Sequence, residues 1–452
     1  MVPNKKRMFV ALTSLVVALT ACTNKETAEQ PVSQPETNSK PADSASFLQT
    51  VLDTPTTLVF TQPGLSEELF NQRYGDQIRK KFPNYTIVYL PTTAANLADT
   101  IATNPQLDIM FTSATGMPVY LTNYKLEKSI NDLIAKYQYD LNRLNVTPLN
   151  TLRKLGNGEI YGFPTNIGTL IFQYNKDLFD KFGVAYPTDG MTWDETYELA
   201  RKMTRNEGGV AYKGLMFAWE HVVGWNQLSA LYFDPTTNKS LVATNDDIKR
   251  VYENAVRFWK IPGNEPPENR YNLGKMRDWF LKDQITAMYL DADGLIGLTL
   301  ASSLKNWDLA KFPVFPEKRN VGPAPNPTFS FITNLSKNRD AAFQVLTFLT
   351  SEEYQTWAAR TIGFVPSLQN AKPIMDQFGK DIPGFEGKNT NALLFETYAE
   401  MQQNSPYYSI GVTETNKAIN EHLAGKDLNT ALREASERMD IAVAEQMAKS
   451  GK

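Results

Sequence analysis

The sequence predicts an α/β protein built from two lobes. Short β-rich runs alternate with amphipathic helical segments, an order that favours a parallel sheet covered by helices on both faces. About 400 of the 452 residues belong to this globular part, which is too many for one compact core and suits two lobes. The composition is 42% apolar and shows no fixed-period repeat, as in ordinary globular domains.

The first predicted elements follow from hydrophobic periodicity. In the first helical segment Leu69, Tyr74, Ile78 and Phe82 recur near helical spacing, which predicts its buried face. Crossover connections between parallel strands are right-handed, which fixes how the helices lie on the sheet. The predicted strands are 56–62, 85–91 and 107–113, and the predicted helices are 66–82, 96–104 and 130–137.

Local turn and capping signals are strongest between residues 161 and 195. The run Tyr-Gly-Phe-Pro at 161–164 predicts an edge strand stopped by proline, and extended structure restarts at 169–175. A short helix follows and ends at Gly183. Thr192 and Glu195 have the spacing of a capping box, which predicts the start of another helix.

The N-terminal segment, residues 1–21, has the pattern of a signal peptide. Three basic residues at 5–7 precede an apolar stretch, 8–19, and Cys22 follows a pair of small residues. As a helix the apolar stretch would span about 18 Å, too short for a hydrocarbon core of about 30 Å. The run Leu-Thr-Ala-Cys resembles the lipobox of bacterial lipoproteins, whose cysteine is lipidated. The alternative is an ordinary secreted protein with a stray cysteine near the cleavage site.

Residues 22–49 are predicted to form a disordered polar tether. Pro, Ser, Thr, Asn, Gln, Glu and Lys dominate this stretch, which therefore buries too little apolar surface to offset its ordering entropy. Loss of residues 1–21 removes three positive charges and takes the formal net charge from −3 to −6, which gives no attraction to nucleic acid. Cys22 is the single cysteine, so an intramolecular disulfide and a cysteine-rich metal site are excluded.

Several motifs occur in an order that resembles a known family. The run Tyr-Gly-Phe-Pro at 161–164 is followed by Tyr-Asn-Lys-Asp-Leu-Phe at 174–179 and by Thr-Trp-Asp-Glu at 192–195. Together with the later runs "FLKDQITAMYLDADGL" and "FITNLSKNRDAAF", they are similar to extracellular solute-binding proteins of family 1. These proteins are the binding components of sugar ABC importers, and the similarity in order extends from about residue 55 to 445.

The resemblance implies a two-lobed periplasmic-binding-protein-like fold of type II, in which each lobe is a sheet covered by helices. Crossing segments between the lobes would form a hinge. Carried onto this sequence, the boundaries are 50–164 plus 308–335 for lobe one, 168–304 plus 338–452 for lobe two, and 164–169, 305–309 and 334–338 for the hinge.

The resemblance also implies a carbohydrate-binding protein that is not an enzyme. It would be a monomer, anchored through Cys22 on the extracytoplasmic side of the cell membrane, that delivers a mono- or oligosaccharide to permease subunits. No cofactor or metal is expected. The Asp291–Gly294 run lacks the further oxygen ligands of a calcium loop.

Alternatives from other classes stay open at this point. The chain has two histidines and none of the common hydrolase or nucleotide-binding motifs. The paired carboxylates of a glycosidase leave no signature in a single sequence, so a surface-anchored glycoside hydrolase or other hydrolase is the main rival. A binder of a non-sugar polar solute and an adhesin or sensor module are further candidates.

Candidate ligand residues follow the predicted strands, because ligands of open α/β sheets collect beyond the carboxyl ends of strands. A sugar needs hydrogen-bonding acids and amides for its hydroxyls and aromatic rings for its C–H faces. The candidates after strands are Gln62, Thr112, Ser113, Trp219, Glu220, Trp225, Asn226, Asp291 and Asp293, joined by Asn166 in the hinge and by Phe364 near the end of the run "TWAARTIGFVPS".

Two pairs among these candidates require a choice. The six-residue spacing of Trp219 and Trp225 puts them on different helix faces, so we expect one of them to face the cleft. Trp219 is favoured because it follows directly on a strand. For Asp291 and Asp293 we expect one to face the ligand and the other to cap the next helix.

Overall fold

Two five-stranded sheets organise the chain in the computed structural model, which describes residues 41–401 and 405–449. The predicted signal peptide, Cys22 and the tether up to residue 40 lie outside the described residues. Residues 46–452 form one compact unit, and the unit 1–45 is described only from residue 41. No helix among the described residues is both long enough and apolar enough to cross a membrane.

The strands and helices are numbered in chain order. The strands are β1 (Thr56–Thr61), β2 (Tyr85–Tyr89), β3 (Ile109–Ser113), β4 (Gly162–Asn166), β5 (Leu170–Asn175), β6 (Arg205–Glu207), β7 (Val210–Phe217), β8 (Thr286–Ala292), β9 (Trp307–Ala310), β10 (Val321–Gly322), β11 (Thr328–Ile332) and β12 (Thr397–Tyr398). The helices are α1 (Pro41–Asp53), α2 (Glu67–Phe70), α3 (Asp76–Lys81), α4 (Leu97–Thr103), α5 (Asn131–Lys136), α6 (Val146–Leu155), α7 (Lys176–Phe182), α8 (Trp193–Met203), α9 (Trp219–Gly224), α10 (Asp246–Trp259), α11 (Leu273–Leu281), α12 (Leu295–Ala301), α13 (Arg339–Leu349), α14 (Glu352–Ile362), α15 (Lys372–Met375), α16 (Tyr408–Leu423) and α17 (Leu428–Lys449).

The first sheet has the strand order β2-β1-β3-β11-β4. β1 pairs in parallel with β2 and β3, as the alternating order of strands and helices predicts. β11, which comes from much later in the chain, runs antiparallel between β3 and β4. The sheet is therefore mixed, and the prediction of a parallel sheet holds only for its first three strands.

The second sheet has the order β6-β7-β8-β5-β9. β7 and β8 are parallel, whereas β5 runs antiparallel to both of its neighbours, β8 and β9. The chain passes from the first sheet to the second between β4 and β5, within the predicted hinge segment 164–169. A short two-stranded pair, β10 with β12, stands apart from both sheets.

Local sequence signals are confirmed where short-range chemistry decides them. Gly183 ends α7 with a φ of 62°, in the left-handed region. Thr192 and Glu195 form the predicted capping box at the start of α8. Leu69 differs from the prediction, because its side chain is 41% exposed while the other residues of its predicted face are buried. A π-helical turn at Asn71–Gly75 separates α2 from α3 and changes which residues share a face.

Two predicted lobe boundaries disagree with the observed packing. β9 pairs with β5 in the second sheet, so the segment 308–335 does not begin in lobe one. Within the segment 338–452 predicted for lobe two, α13 packs on β1, β4 and β11 of the first sheet. The second and third crossings therefore lie after β9 and after α13, later than the predicted 305–309 and 334–338. The order of segments does not reveal which sheet a returning segment joins, and the remaining lobe boundaries stay predictions.

The predicted tether also ends earlier than expected. α1 covers residues 41–53, and its last turns pack on the folded unit. Phe47 lies 6.4 Å from the ring of Tyr137, and the Tyr85 hydroxyl donates to the Val51 carbonyl at 3.1 Å. The apolar residues Phe47, Val51 and Leu52 give this stretch a surface to bury, which the preceding polar residues lack.

Candidate functional site

A cavity of about 540 Å³ lies where strand ends of both sheets meet. Ser113 at the end of β3 and Asn166 at the end of β4 line it from the first sheet. Asp293 after β8 and Trp225 after α9 line it from the second sheet, and Phe364 follows α14. The position matches the expectation that ligands of open α/β sheets collect at carboxyl strand ends. Five of the eleven candidate residues are thus brought together.

The choice between the two tryptophans is reversed. Trp219 has no exposed surface and packs among Phe217, Tyr252 and Trp259 at ring distances of 6.3, 5.2 and 5.5 Å. Its side chain belongs to the core of the second sheet and does not line the cavity, although it follows a strand as predicted. Trp225 lines the cavity instead.

Hydrogen bonding distinguishes the two aspartates, and the predicted capping role is wrong for both, because α12 begins after Gly294 without a side-chain cap. Asp291 is fully buried, and its carboxylate lies 2.6 Å from His221 Nδ1 and accepts from Arg277 Nε at 2.9 Å. Burial raises the pKa of the Asp291 carboxyl, but the hydrogen bonds from His221 and Arg277 together hold that pKa below its usual range. Asp293 is the aspartate that lines the cavity, and burial raises the pKa of its carboxyl to about 6.

The network around Asp291 also supports the cavity wall. The His221 ring packs on the Trp225 ring with centroids 5.1 Å apart. Asp291 fixes the His221 ring, which in turn supports Trp225 at the cavity wall.

The other candidate residues have structural roles or lie away from the cavity lining. Asn226 uses its side-chain amide within its own loop, where it donates to the carbonyls of Val223 and Ala230 and accepts from the Leu228 and Ala230 amides. Glu220 accepts a hydrogen bond from the Tyr271 hydroxyl. Thr112 is only 4% exposed, and the Gln62 carbonyl accepts from the Tyr89 hydroxyl. None of these four residues lines the cavity.

Asp293 connects the cavity to the segment that crosses between the sheets. The Thr169 amide donates to the Asp293 carboxylate at 3.3 Å, and the Asp293 amide donates to the Thr169 carbonyl at 2.9 Å. A ligand that contacts Asp293 would therefore be linked to the first crossing through this single residue.

The second crossing touches the first at Gly168 and Asn326, both of which line the cavity. The Asn326 amide donates to the Gly168 carbonyl at 2.8 Å, and the Asn326 side chain accepts from the Thr115 amide at 3.3 Å. A Cβ atom added at Gly168 would lie 2.3 Å from the Asn326 carbonyl oxygen. Glycine is required because two backbone segments approach each other closely here.

Replacement of Gly168 by alanine is expected to lower the free energy of unfolding by about 1–3 kcal/mol, because the new Cβ meets backbone that cannot move independently. Denaturant unfolding measures the effect. The control is Gly274→Ala, where the nearest heavy atom would be 3.8 Å away and no destabilisation is expected. Equal stability of the two variants would contradict the close approach.

Several lining residues were missed by the sequence analysis. Arg73 lies in the π-helical turn after α2, Asn326 and Thr328 lie at the second crossing, and Thr361 lies near the end of α14. Arg73 sits within a stretch that predicts a plain helix, so the sequence carries no signal for it. Asn326 was missed because the second crossing was predicted some twenty residues too early. The run "GPAPNPT", which contains Asn326, has the proline and glycine content of a bend and could have indicated the crossing.

The two sheets, the crossing segments and the cavity define a binding protein of the periplasmic type. A family model described as bacterial extracellular solute-binding protein matches residues 64–356, well over half of the chain. The chain therefore belongs to the bacterial extracellular solute-binding proteins, a family of binding proteins rather than enzymes.

Curated relatives are distant. An sn-glycerol-3-phosphate-binding periplasmic protein of Rhizobium meliloti is 22% identical over 306 residues, 64% of this chain and 69% of that protein. An arabinooligosaccharide-binding protein of Halalkalibacterium halodurans is 22% identical over 303 residues, 63% of this chain and 64% of that protein, just under two thirds.

Solved structures establish the fold. A sugar transporter from Rhizobium etli in an open conformation has a TM-score of 0.68 and 20% identity, covering 85% of this chain and 99% of that chain. The sugar-binding protein MalE of Xanthomonas citri has a TM-score of 0.68 and 16% identity, covering 88% and 99%. A solute-binding protein from Agrobacterium vitis with bound D-mannitol has a TM-score of 0.59 and 20% identity, covering 88% and 99%. The predicted type II periplasmic-binding-protein-like fold is confirmed.

Proposed function

We propose that this protein is the lipid-anchored, extracytoplasmic solute-binding component of an ABC importer. It binds a mono- or oligosaccharide in the cavity between the two sheets and delivers it, as a monomer, to permease subunits. Cys22 is the proposed lipid attachment site, and the polar residues that follow it hold the folded part above the membrane.

The composition of the cavity carries the proposal. Amide, hydroxyl and carboxyl groups from Asn166, Asn326, Ser113 and Asp293 share it with the aromatic rings of Trp225 and Phe364. This combination suits the hydroxyls and C–H faces of a polyol. The relatives named for glycerol phosphate and arabinooligosaccharide, and the neighbour that holds D-mannitol, support a ligand of this type.

A single carboxyl group in the lining favours binding over hydrolysis. A glycosidase of the common kind needs two carboxyl groups that flank the scissile bond. Among the described residues that line the cavity, Asp293 is the one carboxyl, and Asp291 is held beneath the wall by His221 and Arg277. Saturable binding without turnover is therefore the expected behaviour.

Closure around the ligand would follow from contacts on both sheets. Ser113 and Asn166 belong to the first sheet, and Trp225 and Asp293 to the second. A ligand that contacts both sides gains contacts in the closed form, and this difference in binding free energy shifts the open–closed equilibrium. Asp293 and Asn326 transmit the same contacts to the two crossings.

A sugar panel tests the proposal. We expect at least one mono- or oligosaccharide to raise the unfolding temperature, since a ligand at one hundred times its Kd adds about 2.7 kcal/mol of stability. Calorimetry should then give saturable binding, small-angle scattering should show a smaller radius with the sugar bound, and chromatography should recover the sugar unchanged. A cleaved sugar would favour the hydrolase, and binding at unchanged radius would contradict closure.

A further inference from the structure

Arg73 is held at the cavity wall by its backbone. It lies in the π-helical turn Asn71–Gly75, and its carbonyl accepts from the hydroxyl of Tyr354 at 2.7 Å. Tyr354 is 1% exposed, and the neighbouring Tyr74 stacks on Phe111 with ring centroids 4.3 Å apart. Buried aromatic residues on both sides thus fix the turn, and π-turns of this kind occur frequently at functional sites.

The guanidinium group of Arg73 has no carboxylate partner among the described residues. Its Cζ lies 5.7 Å from the centre of the Phe364 ring, which also lines the cavity. Arg79, six residues later and outside the cavity, donates to Asn71 at 2.8 Å and to Asp76 at 3.2 Å. The cation at the cavity is therefore unpaired, whereas the neighbouring arginine on the surface is paired.

The one carboxyl of the lining is already engaged. Asp293 accepts a hydrogen bond from the Thr169 amide of the first crossing. Part of the hydrogen-bonding capacity of this carboxylate is therefore used by the backbone just before β5. Arg73 reaches the cavity from the first-sheet side, in the π-helical turn that follows α2. The cavity thus presents a guanidinium that forms no ion pair among the described residues on one wall and a backbone-bound carboxyl on the other. The two groups still interact at longer range, since burial raises the pKa of the Asp293 carboxyl and the charge of Arg73 partly opposes that rise.

We propose that the solute carries an anionic group, a carboxylate or a phosphate on a polyol, and that Arg73 binds this group. The planar guanidinium matches both anions with two parallel hydrogen bonds, and its charge acts strongly in a partly desolvated cavity. The inference rests on the proposed function, because it assigns a charge to the saccharide of the same site.

Matched sets of ligands test the inference. Calorimetry would compare glucose, glucuronate and glucose 6-phosphate, and the equivalent sets built on galactose and mannose, with the full chain. We expect an anionic member of at least one set to bind ten times or more tightly than its neutral counterpart. The acid and the phosphate arms identify which anion the site takes.

Variants then assign the preference to Arg73. In Arg73→Gln the preference for the anion should fall to about twofold or less, and in Arg73→Lys it should be retained in part, because the charge remains without the planar fork. Arg201→Gln, which removes an exposed arginine paired with Glu198 on α8 outside the cavity lining, is the matched control and should keep the preference of the parent protein. Unfolding curves and the affinity for the neutral sugar show that each variant is folded.

The outcomes separate the two proposals. Neutral sugars that bind as tightly as the anionic ones, or an anion preference that survives in Arg73→Gln, would overturn this inference and leave the proposed function standing. Failure of every sugar, neutral or anionic, to bind would overturn both.

Discussion

Replacement of Asp291 by alanine is expected to lower the free energy of unfolding by about 3 kcal/mol. Removal of one member of a buried ion pair leaves the other charge without compensation and costs about 3–5 kcal/mol. Asp291 is fully buried, but the side chains of its partners His221 and Arg277 are each 26% exposed and retain some access to water. The lower end of the range therefore applies. Denaturant unfolding near neutral pH provides the measurement.

Asp278→Ala is the matched control for this prediction. Asp278 forms an ion pair with Lys282 at 2.8 Å on the surface of α11, with 40% of its side chain exposed. Exposed pairs contribute at most about 1 kcal/mol, so this variant should stay close to the parent protein. A loss of less than 1 kcal/mol in Asp291→Ala would mean that the buried network does not stabilise the fold.

The contribution of Asp291 should also depend on pH. The pKa of its carboxyl is lower in the folded state than in the unfolded chain, where it is about 3.9. The stabilisation is therefore fully present above about pH 4 and is lost as the pH falls through the folded-state pKa. The difference in stability between Asp291→Ala and the parent protein should accordingly shrink as the pH falls below about 4.

Short-range chemistry made much of the fold predictable. The Gly183 terminus and the Thr192 capping box depend on residues within three or four positions, and both are confirmed. The first three parallel strands follow from alternating patterns within sixty residues. The partner of a returning strand is a different problem, because β9 and β11 carry no local mark that distinguishes the second sheet from the first.

The candidate site was predicted only in part for a related reason. Spacing alone correctly required that Trp219 and Trp225 face different directions. Which of them is covered depends on Trp259 and Tyr252 from α10, about thirty to forty residues away. The placement of the Arg73 side chain at the cavity depends on a widened helical turn and on contact with Phe364. Phe364 lies nearly three hundred residues further along the chain. Such contacts belong to the tertiary structure and leave no pattern in one sequence.

The two tryptophans of this stretch are expected to separate stability from binding. Trp219→Ala should lower the free energy of unfolding by about 3–5 kcal/mol, since it empties a large volume beside Trp259 and Tyr252. Trp225→Ala should cost about 1 kcal/mol of stability, because the ring is partly exposed, but should weaken sugar binding about 30-fold, or about 2 kcal/mol. Denaturant unfolding and calorimetry with the sugar identified by the panel measure the two quantities.

Phenylalanine variants at the same positions refine the contrast. Trp219 Nε1 has no hydrogen-bond partner among the described residues, so Trp219→Phe loses volume without losing a hydrogen bond and should cost less than the alanine variant. Trp225→Phe keeps an aromatic face for the sugar and should retain most of the affinity. If Trp219→Ala weakened binding while its stability was unchanged, or if Trp225→Ala bound the sugar normally, the assignment of one ring to the core and the other to the cavity would be wrong.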